Sequence, residues 1–178
     1  MSLNDFSMRN YFLSLCLLFA LCFTACSLSD DSVDVLIIGG GASGVTAGIQ
    51  SARMGAATLI VEETEWLGGM LTSAGVSAVD GNYDLPAGLF GEFREHLADY
   101  YGGLDSLKTG WVSSVLFEPS VGNKIFHEMV DVEKNLKVWH NATLVKLERE
   151  NNAWIAQIQM KDNTIKKIHA KILIDGTE

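Results

Sequence analysis

An α/β domain, with a parallel sheet and a small antiparallel β-meander, is predicted by three features of this 178-residue sequence. Residues 33–38 and 58–61 are short, continuous, β-branched apolar runs separated by a segment of helical length, the pattern of parallel strands buried on both faces. Two further amphipathic helical patterns follow between residues 89 and 134. Beyond residue 136 the character changes to strand-like stretches punctuated by Asn-containing turns. At 48% hydrophobic and 20% charged residues, the chain suits one globular domain plus a short extra segment.

The extra segment is N-terminal. "MRNYFLSLCLLFALCFTAC" places Arg9 before an apolar run over residues 11–23, then the small residues Thr24 and Ala25 ahead of Cys26, which is the layout of an export signal. The run is too short to be read as a membrane span. "FTAC" resembles a permissive bacterial lipobox, which implies a signal peptide over residues 1–25, a lipid anchor on Cys26, a polar tether over 26–32 and export to the periplasm or cell envelope; an ordinary signal peptide cut nearby is the alternative. Met8 is an alternative start. Cys16, Cys22 and Cys26 all lie in this leader, so no disulfide framework or thiolate metal cluster can be built in the domain. The four histidines, His96, His127, His140 and His169, show no metal-ligand spacing. A net charge of −9 disfavours nucleic acid and anionic membrane surfaces, leaving the anchor as the expected membrane contact.

The domain itself is expected over residues 33–178. Residues 43–54 place Val45, Ile49 and Ala52 on one side of a helix that ends near Gly55. With the two flanking runs it forms a βαβ unit, whose crossover is expected to be right-handed. The Gly-rich loop "WLGGMLTSAGVSAVDGNYD" follows. "LFGEFREHLADYY" then spaces Leu89, Phe93 and Leu97 as one helical face, with Phe90 and Tyr101 close by. A third helix is expected from Ser120 or Val121 to about Lys134, with Pro119 just before it and Ile125, Met129 and Val132 facing inward. "KVWHNATLVKLE", "NAWIAQIQM" and "TIKKIHAKILI" read as strands, joined by turns at Asn151-Asn152 and at residues 161–163. The apolar "KILID" closes the domain.

Gly39, Gly41 and Gly44 satisfy GxGxxG between the first strand and the first helix. Gly39 permits the tight turn, Gly41 lets a pyrophosphate approach the main chain, and Gly44 lets helix and strand pack closely. Gly48, one turn on, serves the same packing. Ala42 and Ser43 complete the loop, whose amides face a ligand with the positive end of the helix dipole, and Ser43 adds a hydroxyl. Glu62 ends the second strand eighteen residues after Gly44, where a carboxylate accepts hydrogen bonds from the hydroxyls of an adenosine ribose and repels a 2′-phosphate. Glu63 points the other way in a strand and is read as solvated. These residues predict a Rossmann-like FAD/NAD(P)-binding domain, with NADP disfavoured and NAD or FAD left open.

"ETEWLGGML" follows the acid with Gly68-Gly69, and this looks like the glutathione reductase type of flavoprotein fold, in which such a pair extends the contacts along FAD. "GGGASGVTAGIQSARMGA", "VEE", "LGGMLTSAGVSAVDG" and "ILIDGTE" together resemble an exported FAD-dependent oxidoreductase family whose members are sometimes labelled xanthan lyase-like. The resemblance implies FAD as cofactor, with Gly39, Gly41, Ala42, Ser43 and Gly44 at the pyrophosphate, and Glu62 at the ribose. It also implies that Gly69, Met70 and Thr72 lie toward the ribitol, that the Val145 backbone lies at the adenine, and that hydride passes between flavin and an organic substrate of unknown identity. "DGTE" departs from the ATG-like triplet of that fold, and no cofactor contact is assigned there. The catalytic residues belong to a substrate domain that this resemblance places outside the chain, so the chain is expected to be the N-terminal FAD-binding region. A non-catalytic nucleotide-binding remnant and an NAD-binding dehydrogenase domain are the alternatives. Among other residues, His96 and His127 are read as surface or capping groups, and Trp66, Trp111, Trp139 and Trp154 as packing.

Overall fold

The computed structural model describes residues 31–81 and 83–177. The predicted signal peptide and most of the tether lie outside the described residues. The elements run β1 (Asp31–Ile38), α1 (Ala42–Arg53), β2 (Thr58–Val61), α2 (Gly88–Tyr101), α3 (Pro119–Asp131), β3 (Leu136–Trp139), β4 (Thr143–Glu150), β5 (Ala153–Gln159) and β6 (Ile165–Asp175), with short 3-10 turns at Gly69–Leu71 and Leu104–Leu107. One mixed sheet holds all six strands in the order β3-β2-β1-β6-β5-β4. β3, β2, β1 and β6 are parallel neighbours, whereas β6, β5 and β4 form the antiparallel meander.

Alternation along β1 explains why both faces of the sheet are covered. Val35 and Ile37 face a cluster with Val45 and Ile49 of α1, Phe93 and Leu97 of α2, and Ile125, Phe126 and Met129 of α3. Leu36 turns to the opposite face, where Leu59, Val61, Ala156, Ile158 and Ile168 pack beneath the meander. The continuous apolar run is therefore a strand with a core on each side.

Three expectations from the sequence need correction. "KVWHNATLVKLE" is two strands at opposite edges of the sheet. Asn141 turns the chain with φ 51°, while the amides of Asn141 and Ala142 donate to the carbonyls of Thr64 and Glu62, so the segment is redirected past the end of β2. β6 absorbs the expected closing strand into one continuous element: its first half pairs with β5 and its second half with β1. Asp31 and Ser32, read as tether, pair with Ile168 and His169 and extend β1. The two hairpin turns stand where expected, with Asn151 and Asn152 at φ 46° and 67° and Asn163 at φ 64°.

α3 begins with Pro119 as its first helical residue and stops at Asp131. Val132 therefore lies past the helix and is 69% exposed, and Phe126 and Val130 complete the inward face. Trp111 is 95% exposed, contrary to a packing role. Phe126 is central to the helical layer: it stacks on Phe93 with ring centroids 4.5 Å apart. Phe126→Ala is expected to cost about 3–5 kcal/mol of stability, read as a lower urea midpoint at unchanged m-value.

Candidate functional site

The turn from β1 into α1 is closed by contact between backbones. Gly39 has φ 95°, and a Cβ on it would lie 2.5 Å from the carbonyl oxygen of Gly176 at the end of β6. A Cβ on Gly44 would lie 2.0 Å from the Gly39 oxygen, and one on Gly176 would lie 2.9 Å from the Gly44 Cα. Gly48 approaches β2 in the same way, its virtual Cβ falling 2.6 Å from Ile60 Cδ1. The N-cap of α1 is Gly41, in an extended conformation, with no side-chain cap and no acidic residue in the first turn. Helix-start amides lack partners within the helix, so this end presents donors and positive potential to whatever occupies the space before it.

That space is an open cleft of about 500 Å³ lined by Gly39, Gly41, Glu62, Gly69, Ala142, Leu144, Gly176 and others. Four of the expected residues, Gly39, Gly41, Glu62 and Gly69, thus meet at one site. Gly44 is buried beneath the loop. Ala42 and Ser43 line a neighbouring apolar hollow with Leu89 and Phe90. Met70 is 55% exposed, and Thr72 is buried, its hydroxyl donating to the Leu67 carbonyl at 2.6 Å. Val145 lies at the register shift of β4, while Leu144 and Ala142 are the residues there that line the cleft.

Glu62 is already engaged. Its Oε2 accepts from the Gly40 amide at 2.7 Å, and its Oε1 accepts from the amide and the hydroxyl of Thr64 at 2.9 and 2.8 Å. A carboxylate offers about four acceptor directions, so one remains on Oε2, and a second hydroxyl on Oε1 would take the place of the exposed Thr64 hydroxyl. Glu63 is exposed as expected but also lines the cleft, because β2 has ended at Val61 and strand alternation no longer applies.

The loop after Glu62 is held by groups that sequence reasoning did not single out for it. His140 Nδ1 lies 3.1 Å from the Thr64 carbonyl and His127 Nε2 lies 3.3 Å from that of Glu65. Asn123 Oδ1 accepts from the Leu67 amide at 2.8 Å. Hydrogen bonds from Lys161 and then Asn141 hold the Glu65 carboxyl below its ordinary range. None of these partners shares a local motif with the loop, so only the fold reveals them. Gly68 then docks on the phosphate loop, its amide donating to the Gly40 carbonyl at 2.8 Å, and its virtual Cβ would strike Phe126 at 2.5 Å. "DGTE" also belongs to the site: Gly176 and Thr177 line the cleft, and Asp175 Oδ1 accepts from the amide and hydroxyl of Thr177 at 3.1 and 2.6 Å. Those bonds, the hydroxyl's first, lower the Asp175 pKa.

A parallel βαβ unit, an uncapped helix start and an acid at the second strand end define a dinucleotide-binding fold. Residues 34–178 match the family model described as FAD dependent oxidoreductase, and the chain belongs to that family. Its cofactor is FAD. Among solved structures it is similar to a myxobacterial chondrochloren halogenase, described as FAD-dependent, at 10% identity and TM-score 0.61, over 83% of this chain and 37% of the other. It is similar to p-nitrophenol 4-monooxygenase from Pseudomonas putida at 13% identity and TM-score 0.60, over 83% and 41%. It is also similar to a geranylgeranyl bacteriochlorophyll reductase-like protein from Thermoplasma acidophilum at 19% identity and TM-score 0.55, over 83% and 39%. These likenesses concern the fold, and the chain spans well under half the length of each. No curated protein sequence matches it.

The cleft fits the group this family implies. A glycine-bounded loop, an uncapped helix start and an acceptor at the far end suit a pyrophosphate followed by a ribose. Gly44→Ala drives a methyl group into the Gly39 carbonyl, and neither backbone can yield without opening the turn. It is expected to lower stability by about 1–3 kcal/mol and to weaken FAD binding at least about tenfold, measured by chemical denaturation and flavin-fluorescence titration.

Proposed function

We propose that this chain holds FAD with its adenosine ribose at Glu62, its pyrophosphate over Gly41 to Ser43 and its ribitol toward Gly69, as the cofactor-binding region of an oxidoreductase that exchanges hydride with an organic substrate. The observation that carries this reading is the convergence of the uncapped start of α1, the Glu62 carboxylate and the Gly68-Gly69 turn on one cleft. When bound, the flavin supplies the redox chemistry, while the chain binds and orients it. The α1 amides offset pyrophosphate charge, Glu62 orients the ribose, and the neighbouring Glu63 adds to the negative field that disfavours a 2′-phosphate. The substrate-contacting residues belong to the longer protein in this reading.

Titrating the full chain with FAD is expected to quench flavin fluorescence, with NADH binding more weakly. Tighter binding of NADH, or no FAD binding at high micromolar concentration, would overturn the assignment. Glu62→Gln places an amide NH₂ group where one oxygen now accepts, and removes a charged acceptor. It is expected to weaken FAD about ten- to a hundredfold and, because the new NH₂ faces the amide of Gly40 or of Thr64, to lower the unfolding midpoint as well.

The same proposal includes export on a lipid anchor, supported by the leader's charge, apolar run and "FTAC". Expression in a bacterial host with radiolabelled fatty acid is expected to label the wild-type chain and not Cys26→Ser. An unlabelled wild-type chain would remove the anchor and leave the FAD assignment standing.

A further inference from the structure

Glu62 shares the cleft wall with Thr64, two residues on in the loop that follows β2. The Thr64 backbone is pinned: its carbonyl lies 3.1 Å from His140 Nδ1 and accepts from the Asn141 amide at 3.3 Å. The hydroxyl is less committed. Its Oγ1 accepts from the Trp66 amide at 3.0 Å, which fixes the oxygen. The proton on that oxygen has two acceptors within reach, Glu62 Oε1 at 2.8 Å and the Trp66 carbonyl at 3.1 Å. A threonine hydroxyl supplies one donor and so serves one acceptor at a time. Rotation about the Cβ–Oγ1 bond carries the proton from one to the other while every heavy atom stays in place.

A hydroxyl bond to a carboxylate is roughly twice as strong as one to a neutral carbonyl, so with no ligand at Glu62 the proton belongs on Oε1. That oxygen is then fully engaged, by the amide and the hydroxyl of Thr64. Oε2 holds the Gly40 amide and keeps one direction open. Two ribose hydroxyls approaching this carboxylate therefore meet unequal conditions. One fills an open direction on Oε2, and the other displaces Thr64 from Oε1. The displaced hydroxyl trades a charge-assisted bond for a neutral one, which subtracts from what the incoming hydroxyl gains.

We propose that Thr64 is a positioning residue that sets how strictly the cleft reads its ribose. Its hydroxyl occupies Glu62 Oε1 until a ribose hydroxyl takes that place and then turns to the Trp66 carbonyl, so that one ribose hydroxyl counts for less in binding than the other. The proposal rests on the adenosine ribose lying at Glu62, as argued above.

FAD and two FAD analogues, one lacking the 2′ and one the 3′ hydroxyl of the adenosine ribose, are titrated into the full chain and followed by flavin fluorescence. In the wild type, the two deletions are expected to weaken binding by factors that differ about threefold or more. Thr64→Val removes the competing hydroxyl and leaves Glu62 held by the amides of Gly40 and Thr64. The smaller of the two losses is expected to grow about threefold or more in this variant, while the larger stays as it was. Thr64→Ser keeps the hydroxyl and is expected to keep the wild-type pattern. A purely structural role for Thr64 would weaken all three ligands alike and leave their ratios unmoved. Equal losses in the wild type, which are read even if Thr64→Val misfolds, or wild-type ratios in a folded Thr64→Val protein, would overturn the proposal and leave FAD in the cleft. A wild-type chain that binds no FAD would overturn the ribose placement and this proposal together.

Discussion

The meeting of three glycines, Gly39, Gly44 and Gly176, is the contact on which the rest of the site depends. It joins the end of β1, the start of α1 and the end of β6 by backbone alone, at separations where a Cβ on any of the three would fall within 3 Å of a neighbouring backbone atom. Side-chain packing cannot bring a helix start so near two strand ends. The close approach fixes where the α1 amides point, and through the Gly176 amide, which donates to the Ile38 carbonyl at 2.7 Å, it ties the meander to the phosphate loop. The glycine in "DGTE" is thereby explained physically: the position has no room for a side chain.

Around that contact the cleft is assembled from distant parts of the sequence, and Glu62 links them. Its carboxylate joins the phosphate loop, through Gly40, to the loop that follows β2, through Thr64. The second loop is held in turn by α3 through His127 and Asn123, and by the chain entering β4 through His140 and Asn141. A ligand hydroxyl at Glu62 therefore enters a network already closed by protein donors. Because Thr64 satisfies Oε1 through an exposed hydroxyl that water can also serve, exchanging that bond for a ligand bond carries little desolvation cost.

Much of this was legible in the sequence because the decisive signals are local. The GxGxxG spacing, the apolar runs and the acid after the second run lie within thirty residues, and strand alternation and helix-dipole physics assign each a place. The heptapeptide-scale patterns of α1 and α2 were equally clear, since Val45, Ile49, Phe93 and Leu97 report burial directly. The legible part ends where long-range pairing decides. Nothing local separates β3 from β4 within one strand-like stretch, since the break at Asn141 is set by hydrogen bonds to Thr64 and Glu62. Nor does local pattern show that β6 serves two partners, for its residues are apolar enough for either. Val132 continued the helical pattern and the helix did not. His127 lay in a helix, as read, but its role in steadying the loop exists only once α3 packs against β3 and the neighbouring helices.

The two ends of the cleft differ in construction, and that difference bears on how a cofactor is chosen. At the Glu62 end, regular elements and a dense set of hydrogen bonds give a preformed acceptor and a preformed helix start. At the other end the chain runs through turns with positive φ at Gly68, Gly69, Gly75 and Gly81, and Met70 and Val76 are more than half exposed. Preformed polar groups discriminate between ligands because leaving them unpaired is costly, whereas exposed apolar side chains on glycine-rich turns can adjust to what they meet. In the proposed placement, preference for an adenosine dinucleotide follows from the preformed half of the cleft. The glycine-rich loop leaves the rest of the cleft open, so the discrimination that the described residues supply rests on the preformed groups at the Glu62 end.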